Sequence, residues 1–84
     1  MSELKSRFDL AMERANSLPT QSVSNQLELY GLFKQATKGD VTGARPGMLD
    51  PKGRAKFDSW SKHKGLSTEA AMQAYIALVD KLDD

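Results

Sequence analysis

Apolar residues recur three and four positions apart along most of the chain, the spacing that places side chains on one face of an α-helix. The pattern predicts a helix over about residues 3–16, a second over about 22–37, a third between Pro51 and Gly65, and a fourth that starts after Ser67. No segment alternates as a β-strand would, so the chain is predicted to be all-α. The apolar positions, helix by helix, are Leu4, Phe8, Ala11 and Ala15; Val23, Leu27, Tyr30 and Phe33; Phe57 and Trp60; and Met72, Tyr75, Ile76, Val79 and Leu82.

Capping residues support this assignment. Ser22, Asp50 and Ser67 each stand where a side-chain oxygen can accept a hydrogen bond from the first turn of a helix. The residue after Asp50 is a proline, which suits the first helical position because its φ is already helical. Gly39 and Gly65 stand where the second and third helices are expected to end.

A long loop separates the second and third helices. Residues 38–50, KGDVTGARPGMLD, contain three glycines and a proline and no helical stripe. A 16-residue helix is about 24 Å long, whereas a 13-residue loop reaches roughly 43 Å. The loop can therefore cross the bundle and place the third helix parallel to the second, while the two short connections would join antiparallel neighbours. This predicts a four-helix bundle of up-down-down-up topology.

Composition narrows the class of protein. A chain of 84 residues suits a single domain, and the absence of cysteine excludes disulfides, thiolate metal sites and a cysteine nucleophile. The net charge of +1 argues against a nucleic-acid binder. Residues 34–64 nevertheless hold eight Lys or Arg against three Asp. This basic region is either a solvated face or a local anion site.

Signals for catalysis, metals and membranes are weak. The one histidine, His63, falls near the end of the third helix, where a cation suits the helix dipole. No Cys/His or His/carboxylate spacing indicates a metal, and GMLDPKGR lacks the spacing of a nucleotide-binding loop. No stretch of about 20 apolar residues could span a bilayer, and MSELKSRFDL lacks the pattern of a secretory signal. We therefore expect a cytoplasmic protein that is not an enzyme, with no metal, no cofactor and no stable membrane insertion.

Lysines beside aromatic residues are the strongest chemical signal. Tyr30, Phe33 and Lys34 lie within about one turn of each other, and Lys52 and Lys56 share a face of the third helix. Each aromatic residue by itself could belong to the core. Together with the cations they indicate a site for a ligand that has both a ring and a phosphate.

A family resemblance runs in order through nearly the whole chain, in the segments YGLFKQATKGD, RPGMLDPKGRAKFDSW, KGLS and AYIALV. They resemble the acyl-CoA-binding proteins, a family of up-down-down-up four-helix bundles. The resemblance implies one acyl-CoA-binding domain over residues 1–84 that binds, buffers and transports medium- to long-chain fatty acyl-CoA in the cytosol without chemistry. It also implies a monomer with acyl-CoA-using enzymes as partners.

The resemblance also implies roles for individual residues. Tyr30 would pack on the adenine, and Lys34 and Lys56 would neutralise the ribose 3′-phosphate. Lys52 would lie near the phosphates, and Tyr75 would close the pocket from the fourth helix. The rest of the nucleotide wall would be formed by Gly31, Leu32 and Phe33. The acyl chain would lie against the first two helices, with contacts to Phe8, Ala11, Met12 and Leu27.

Three positions depart from the family pattern. Phe33 stands where the family usually has a tyrosine, so a hydroxyl that could reach a phosphate is missing. Phe57 replaces a common tryptophan, which we interpret as a core change, and Asn16 falls where the family has a lysine. The departures at Phe33 and Asn16 concern the strength of headgroup binding rather than its mode.

Two other classes of function stay open at this point. A small helical protein-interaction module would use the exposed charges and the acidic end, DKLDD. A nucleic-acid binder would use the basic region, but the near-zero net charge and the interspersed aspartates count against it.

Overall fold

The computed structural model describes residues 3–83, which leaves Met1, Ser2 and the last residue of the acidic end outside the described range. Four helices make up the fold: α1 (Glu3–Asn16), α2 (Val23–Lys38), α3 (Pro51–Lys62) and α4 (Thr68–Leu82). The described residues contain no strand. The all-α prediction is confirmed. Helix α3 is shorter than expected because the chain leaves the helix at residue 63 and turns through residues 63–65.

The predicted caps form as expected. The side chains of Ser22, Asp50 and Ser67 each accept a hydrogen bond from the backbone N–H three residues on, at 3.1, 3.0 and 3.0 Å. Gly39 and Gly65 have φ of 83° and 96°, a region that L side chains rarely adopt. The ends of α2 and of the turn after α3 are therefore determined locally.

One end of the bundle reveals the direction of three helices. The side-chain amide of Gln35, near the end of α2, donates to the carboxylate of Asp40 and to the carbonyl of Leu66, both at 2.9 Å. The N–H of Gly65 donates to the same carboxylate at 2.9 Å. The C-terminal ends of α2 and α3 and the start of α4 thus meet. Helices α2 and α3 run parallel, and α4 runs antiparallel to both.

Helix α1 runs in the same direction as α4. The ring of Phe8 packs edge-on against the ring of Tyr75 with centroids 5.1 Å apart, and further along both helices Arg14 pairs with Asp80. Together with the parallel α2 and α3, this confirms the up-down-down-up topology. The loop over residues 39–50 returns the chain along the length of the bundle, as its length predicted.

The spatial order of the helices differs from the expectation in one respect. Across residues 3–83, α1 packs on α4, α4 on α2, and α2 on α3, whereas α1 and α2 do not pack together, nor do α3 and α4. The prediction that the short connections join adjacent helices is wrong. The six residues of the first connection reach roughly 20 Å, and packed helix axes lie only about 8–10 Å apart, so a short loop can pass over an intervening helix.

The core lies mainly at the contacts that α4 makes with α1 and α2. Its buried side chains are Phe8, Ala11, Leu32, Ala36, Ala71, Met72, Tyr75, Ile76 and Val79. The stripe that predicted α2 does not coincide with the buried face of that helix, since Val23 is 71% exposed and Phe33 is 36% exposed. The buried face instead holds Leu32, Gln35 and Ala36. No helix within residues 3–83 has the length and apolar character needed to cross a membrane.

Candidate functional site

A groove between α2 and α3 encloses a cavity of about 530 Å³. We call it the α2–α3 groove, and its lining residues are Val23, Gln26, Leu27, Tyr30, Lys52, Ala55 and Lys56. One wall comes from α2 and is largely apolar, and the other comes from α3 and carries two cations. Four of the residues predicted for the site, Leu27, Tyr30, Lys52 and Lys56, are brought together here.

The two walls are held together by an unusually close helix contact. Gly31 on α2 faces Ser59 on α3, and a Cβ at position 31 would lie 2.6 Å from the Ser59 carbonyl oxygen. The Ser59 hydroxyl, buried in this contact, donates to the carbonyl of Leu27. Only a glycine permits this separation. Gly31, predicted as part of the nucleotide wall, lies at the helix contact that sets the width of the groove.

Two cation–π contacts bridge α2 and α3 one turn apart. The Nζ of Lys56 lies 5.3 Å from the centroid of the Tyr30 ring, and the Nζ of Lys34 lies 4.8 Å from the centroid of the Trp60 ring. The indole N–H of Trp60 donates to the carbonyl of Gly39 at 2.7 Å, which holds the ring in place. Each helix therefore supplies one cation and one aromatic ring to the interface.

The cations of the α2–α3 groove have no acidic partner among the described residues. Lys52 and Lys56, and also Lys34 outside the groove, form no ion pair with a carboxylate in residues 3–83, whereas Arg45 pairs with Asp58 at 2.7 Å. The hydrogen bond from Arg45 lowers the pKa of Asp58. Asp58, two residues after Lys56, is thus already paired, and the three lysines remain available to an anion.

A second acidic residue on α2 is also paired. Glu28 lies 2.9 Å from Lys62 and 3.3 Å from the Nε2 of His63. Burial raises the pKa of Glu28, but the hydrogen bond from Lys62 and the charges of His63 and Lys62 outweigh it, so the pKa lies below its ordinary value. These residues border a smaller cavity of about 310 Å³ on the same helix pair. Its lining includes Glu28 and Asp58, so it is less suited to bind an anion than the α2–α3 groove is.

Some predicted wall residues point elsewhere. Leu32 is buried in the core. Phe33 is half-exposed and does not line the cavity, and Lys34 lies over Trp60 rather than in the groove. Asn16, where a family lysine was expected, is the exposed last residue of α1. The structure therefore brings together Tyr30 and the α3 lysines but not the whole predicted nucleotide wall.

The predicted contacts on α1 and α4 lie in the core. Phe8, Ala11 and Tyr75 are buried, and burial raises the pKa of the Tyr75 phenol. Met12 is partly buried and packs against the core. None of the four lines the α2–α3 groove. Their proposed ligand contacts stay predictions.

Sequence reasoning missed three residues that line the groove: Val23, Gln26 and Ala55. A signal for them was present. Ala55 lies three residues after Lys52 and one before Lys56, so helical spacing places it on the same face. Gln26 lies four residues before Tyr30 for the same reason. Within residues 3–83, no group of His, Cys, Asp or Glu side chains could hold a metal ion.

Comparison with known proteins gives a consistent result. Residues 5–79 match the family model described as "Acyl CoA binding protein". An "Acyl-CoA-binding protein homolog" of Manduca sexta is 52% identical over 81 residues, which cover 94% of this chain and 90% of that protein. An "Acyl-CoA-binding protein" of Ricinus communis is 48% identical over 80 residues, covering 94% of this chain and 89% of the relative.

A solved structure agrees in both fold and sequence. The crystal structure of Oryza sativa Acyl-CoA-Binding Protein 2 matches this fold with a TM-score of 0.91 and 46% sequence identity. The match covers 94% of this chain and 89% of that one. The likeness therefore extends over nearly the full length of both chains.

Proposed function

Because the chain belongs to the acyl-CoA-binding protein family, we propose that it binds fatty acyl-CoA esters in the α2–α3 groove. The observation that carries the proposal is the cavity of about 530 Å³, which has an apolar wall on α2 and unpaired lysines on α3. An acyl-CoA has a matching part for each wall: a hydrocarbon chain for the apolar wall and a phosphorylated nucleotide for the lysines. The relatives are named for binding acyl-CoA, and the groove offers this chain a place for it.

In this proposal the headgroup lies over Tyr30, with its phosphates toward Lys52 and Lys56. The Tyr30 ring already faces a cation, and an aromatic face is also suited to stack on a nucleotide base. Lys34 would have to leave the ring of Trp60 to reach the 3′-phosphate. A partly exposed cation–π contact is worth about 0.5–1 kcal/mol, whereas a charge-assisted hydrogen bond contributes about 1.5–3 kcal/mol. The exchange therefore favours the phosphate.

The acyl chain should supply most of the affinity. A 16-carbon acyl group has about 14 methylenes, and at about 0.8 kcal/mol each their full burial would be worth at most roughly 11 kcal/mol. Leu27, Val23 and Ala55 offer apolar surface in the groove, and Met12 is the proposed contact on α1. Phe8 and Ala11 are closed off in the core, so a chain could touch them only if α1 and α4 separated locally.

We further propose that the protein is a carrier rather than an enzyme. Tyr30 is the one hydroxyl among the lining residues of the groove, and no carboxylate or imidazole lines the groove to act as its base. A single domain over residues 1–84 would buffer and transport medium- to long-chain acyl-CoA in the cytoplasm as a monomer, and acyl-CoA-using enzymes would receive the cargo.

The structure disfavours an interaction module that uses the acidic end. Asp80 and Asp83 both accept hydrogen bonds from the guanidinium of Arg14 on α1. These hydrogen bonds raise the pKa of Arg14. Part of the acidic end is therefore engaged within the fold, where it joins α1 to α4.

Isothermal titration calorimetry tests the proposal. Palmitoyl-CoA should bind far more tightly than CoA alone or palmitate alone, because only the ester uses both walls of the groove. Lys56→Ala should weaken palmitoyl-CoA binding, while Lys81→Ala, which removes an exposed lysine on α4, should not. Equal affinity for CoA and palmitoyl-CoA would overturn the proposal.

A further inference from the structure

One side-chain amide stands among the apolar residues of the α2 wall. Gln26 lines the α2–α3 groove together with Val23, Leu27 and Tyr30. It lies one turn before Tyr30 on the same face of α2. An acyl chain that lies along this wall, as the proposed function requires, must therefore pass over the amide of Gln26.

The orientation of this amide is set by a contact with the connection that precedes α2. The Nε2 of Gln26 donates to the backbone carbonyl of Gln21 at 2.8 Å. The side-chain oxygen of Gln21 in turn accepts from the amide nitrogen of Asn25 at 3.1 Å. Since only the nitrogen of an amide can donate to a carbonyl, the first contact identifies the nitrogen and the oxygen of Gln26. The hydrogen bonds of residues 3–83 include none to its Oε1, which is thus left as an acceptor.

A saturated acyl chain leaves this acceptor without a partner. In the free protein water can supply the missing donor, because Gln26 is exposed. A hydrocarbon chain that covers the amide displaces that water and returns no hydrogen bond, and a polar group that loses its partner on burial weakens binding. A hydroxyl on the chain can instead donate to Oε1 and accept from the N–H of the amide that does not bond to Gln21.

We propose that Gln26 makes the groove selective, among fatty acyl-CoA esters, for those whose acyl chain carries a hydroxyl group. The inference rests on the proposed function, since it concerns the acyl part of the same groove. The other surface offered to the chain there, from Val23, Leu27 and Ala55, has no polar side-chain atom. Because the polar groups of Tyr30 and the two lysines are assigned to the headgroup, Gln26 is the lining side chain left to meet a hydroxyl.

Calorimetry with matched ligands and a near-isosteric variant tests the proposal. Palmitoyl-CoA is compared with hydroxypalmitoyl-CoA esters that carry one hydroxyl near the thioester, at mid-chain or at the terminal carbon. Each ester is titrated into the wild type and into Gln26→Met. Methionine is unbranched like glutamine but has no N–H and no oxygen, so the variant keeps the shape and removes the hydrogen bonds. Both residues are good helix formers, so α2 should stay folded.

The two kinds of ester should respond in opposite directions. Gln26→Met should bind palmitoyl-CoA roughly twofold to tenfold more tightly than the wild type does. It should bind the ester whose hydroxyl reaches Gln26 roughly twofold to tenfold more weakly. The affinity ratio of that ester to palmitoyl-CoA should therefore fall roughly fourfold to a hundredfold. The lower hydrophobicity of a hydroxylated chain affects both proteins equally and cancels in this comparison.

A glutamine outside the groove provides the matched control. Gln73 is exposed on α4 and does not line the cavity, so Gln73→Met should leave the affinities for all the esters unchanged. An affinity ratio that is the same in the wild type and Gln26→Met for every hydroxylated ester, or that falls equally in Gln73→Met, would overturn the selectivity. Tight palmitoyl-CoA binding in that same experiment would still support the carrier function. A wild-type chain that binds none of the esters would overturn the carrier function and this inference with it.

Discussion

Gly31 on α2 lies so close to Ser59 on α3 that a Cβ at position 31 would be only 2.6 Å from the Ser59 carbonyl oxygen. The contacted atom belongs to the backbone, so it cannot rotate away as a side chain would. Leu27 and Tyr30 form the α2 wall of the groove, and Lys52 and Lys56 belong to the α3 wall. The separation of the two helices therefore decides whether one ligand can contact both walls.

Gly31→Ala should therefore destabilise the fold and weaken ligand binding together. Alanine gains about 1 kcal/mol over glycine in helix propensity, but overpacking against Ser59 costs about 1–3 kcal/mol and widens the groove. We expect a net loss of about 1 kcal/mol in the free energy of unfolding, measured by urea denaturation, and a weaker calorimetric affinity for palmitoyl-CoA.

Gly47→Ala is the matched control for that variant. Nothing lies within 4 Å of a Cβ built at position 47, and the residue does not have a positive φ. Its affinity should match the wild type, and its stability should match or slightly exceed it, since alanine reduces the entropy of the unfolded chain. A Gly31→Ala variant as stable as Gly47→Ala would show that separating the helices costs no more than the gain in helix propensity.

Lys34 and Trp60 should report on ligand binding. If Lys34 leaves the indole to contact a phosphate, palmitoyl-CoA should change the fluorescence of Trp60, which is the only tryptophan in the chain. Lys34→Ala should lose roughly twofold to seventyfold in affinity, the equivalent of one charge-assisted phosphate contact less the cation–π contact that Lys34 gives up. The part of the fluorescence change that comes from the departing cation should be absent in this variant.

Lys81→Ala controls for the loss of one positive charge. It should preserve both the affinity for palmitoyl-CoA and the fluorescence response. If Lys34→Ala binds as tightly as Lys81→Ala, then Lys34 stays on Trp60 in the complex and its role is structural.

Phe33→Tyr should strengthen binding of the CoA headgroup. The ring is 36% exposed, so the added hydroxyl can be solvated in the free protein and should not destabilise it. A hydrogen bond to an ionised phosphate is charge-assisted and is worth about 1.5–3 kcal/mol, which corresponds to a gain of about tenfold to a hundredfold in affinity for palmitoyl-CoA. Affinity for palmitate, measured by the same calorimetry, should not change. An unchanged affinity for palmitoyl-CoA would mean that the hydroxyl of a tyrosine at this position reaches no phosphate.

Asp40 should make the stability of the bundle depend on acid pH. The backbone hydrogen bond from Gly65 and the side-chain hydrogen bond from Gln35 lower the pKa of its carboxyl. A carboxyl whose pKa is lower in the folded than in the unfolded chain stabilises the fold above its unfolded pKa, and that contribution is lost as the pH falls through the folded pKa.

Thermal unfolding from about pH 6 to about pH 2 tests this expectation. The wild type should have the higher Tm near neutral pH, and its advantage over Asp40→Asn should shrink as the carboxyl becomes protonated. A difference in Tm that stays constant across this range would show that the negative charge of Asp40 does not stabilise the fold, and that its hydrogen bonds alone do.

The positions of the helices were predictable because the interactions that start and end them are local. Ser22, Asp50 and Ser67 each bond to a backbone N–H three residues away, and Gly65 has a left-handed φ that local geometry demands. The length of the loop likewise limited the topology. For the site, helical spacing placed Lys52 and Lys56 on one face of α3, and the family motifs pointed to Tyr30.

The tertiary structure decided which faces meet, and it did so through contacts distant in sequence. Helix α2 has apolar residues on two sides, and only its packing between α4 and α3 selects Leu32 for the core and leaves Val23 at the groove. The helices joined by short connections, α1 with α2 and α3 with α4, are not neighbours in space, because a short loop can pass over an intervening helix. The sequence by itself thus determined where the helices lie along the chain and which residues could bind a ligand. The width of the groove, set by Gly31 against Ser59, follows only from the packing of two helices whose contact residues lie far apart in the chain.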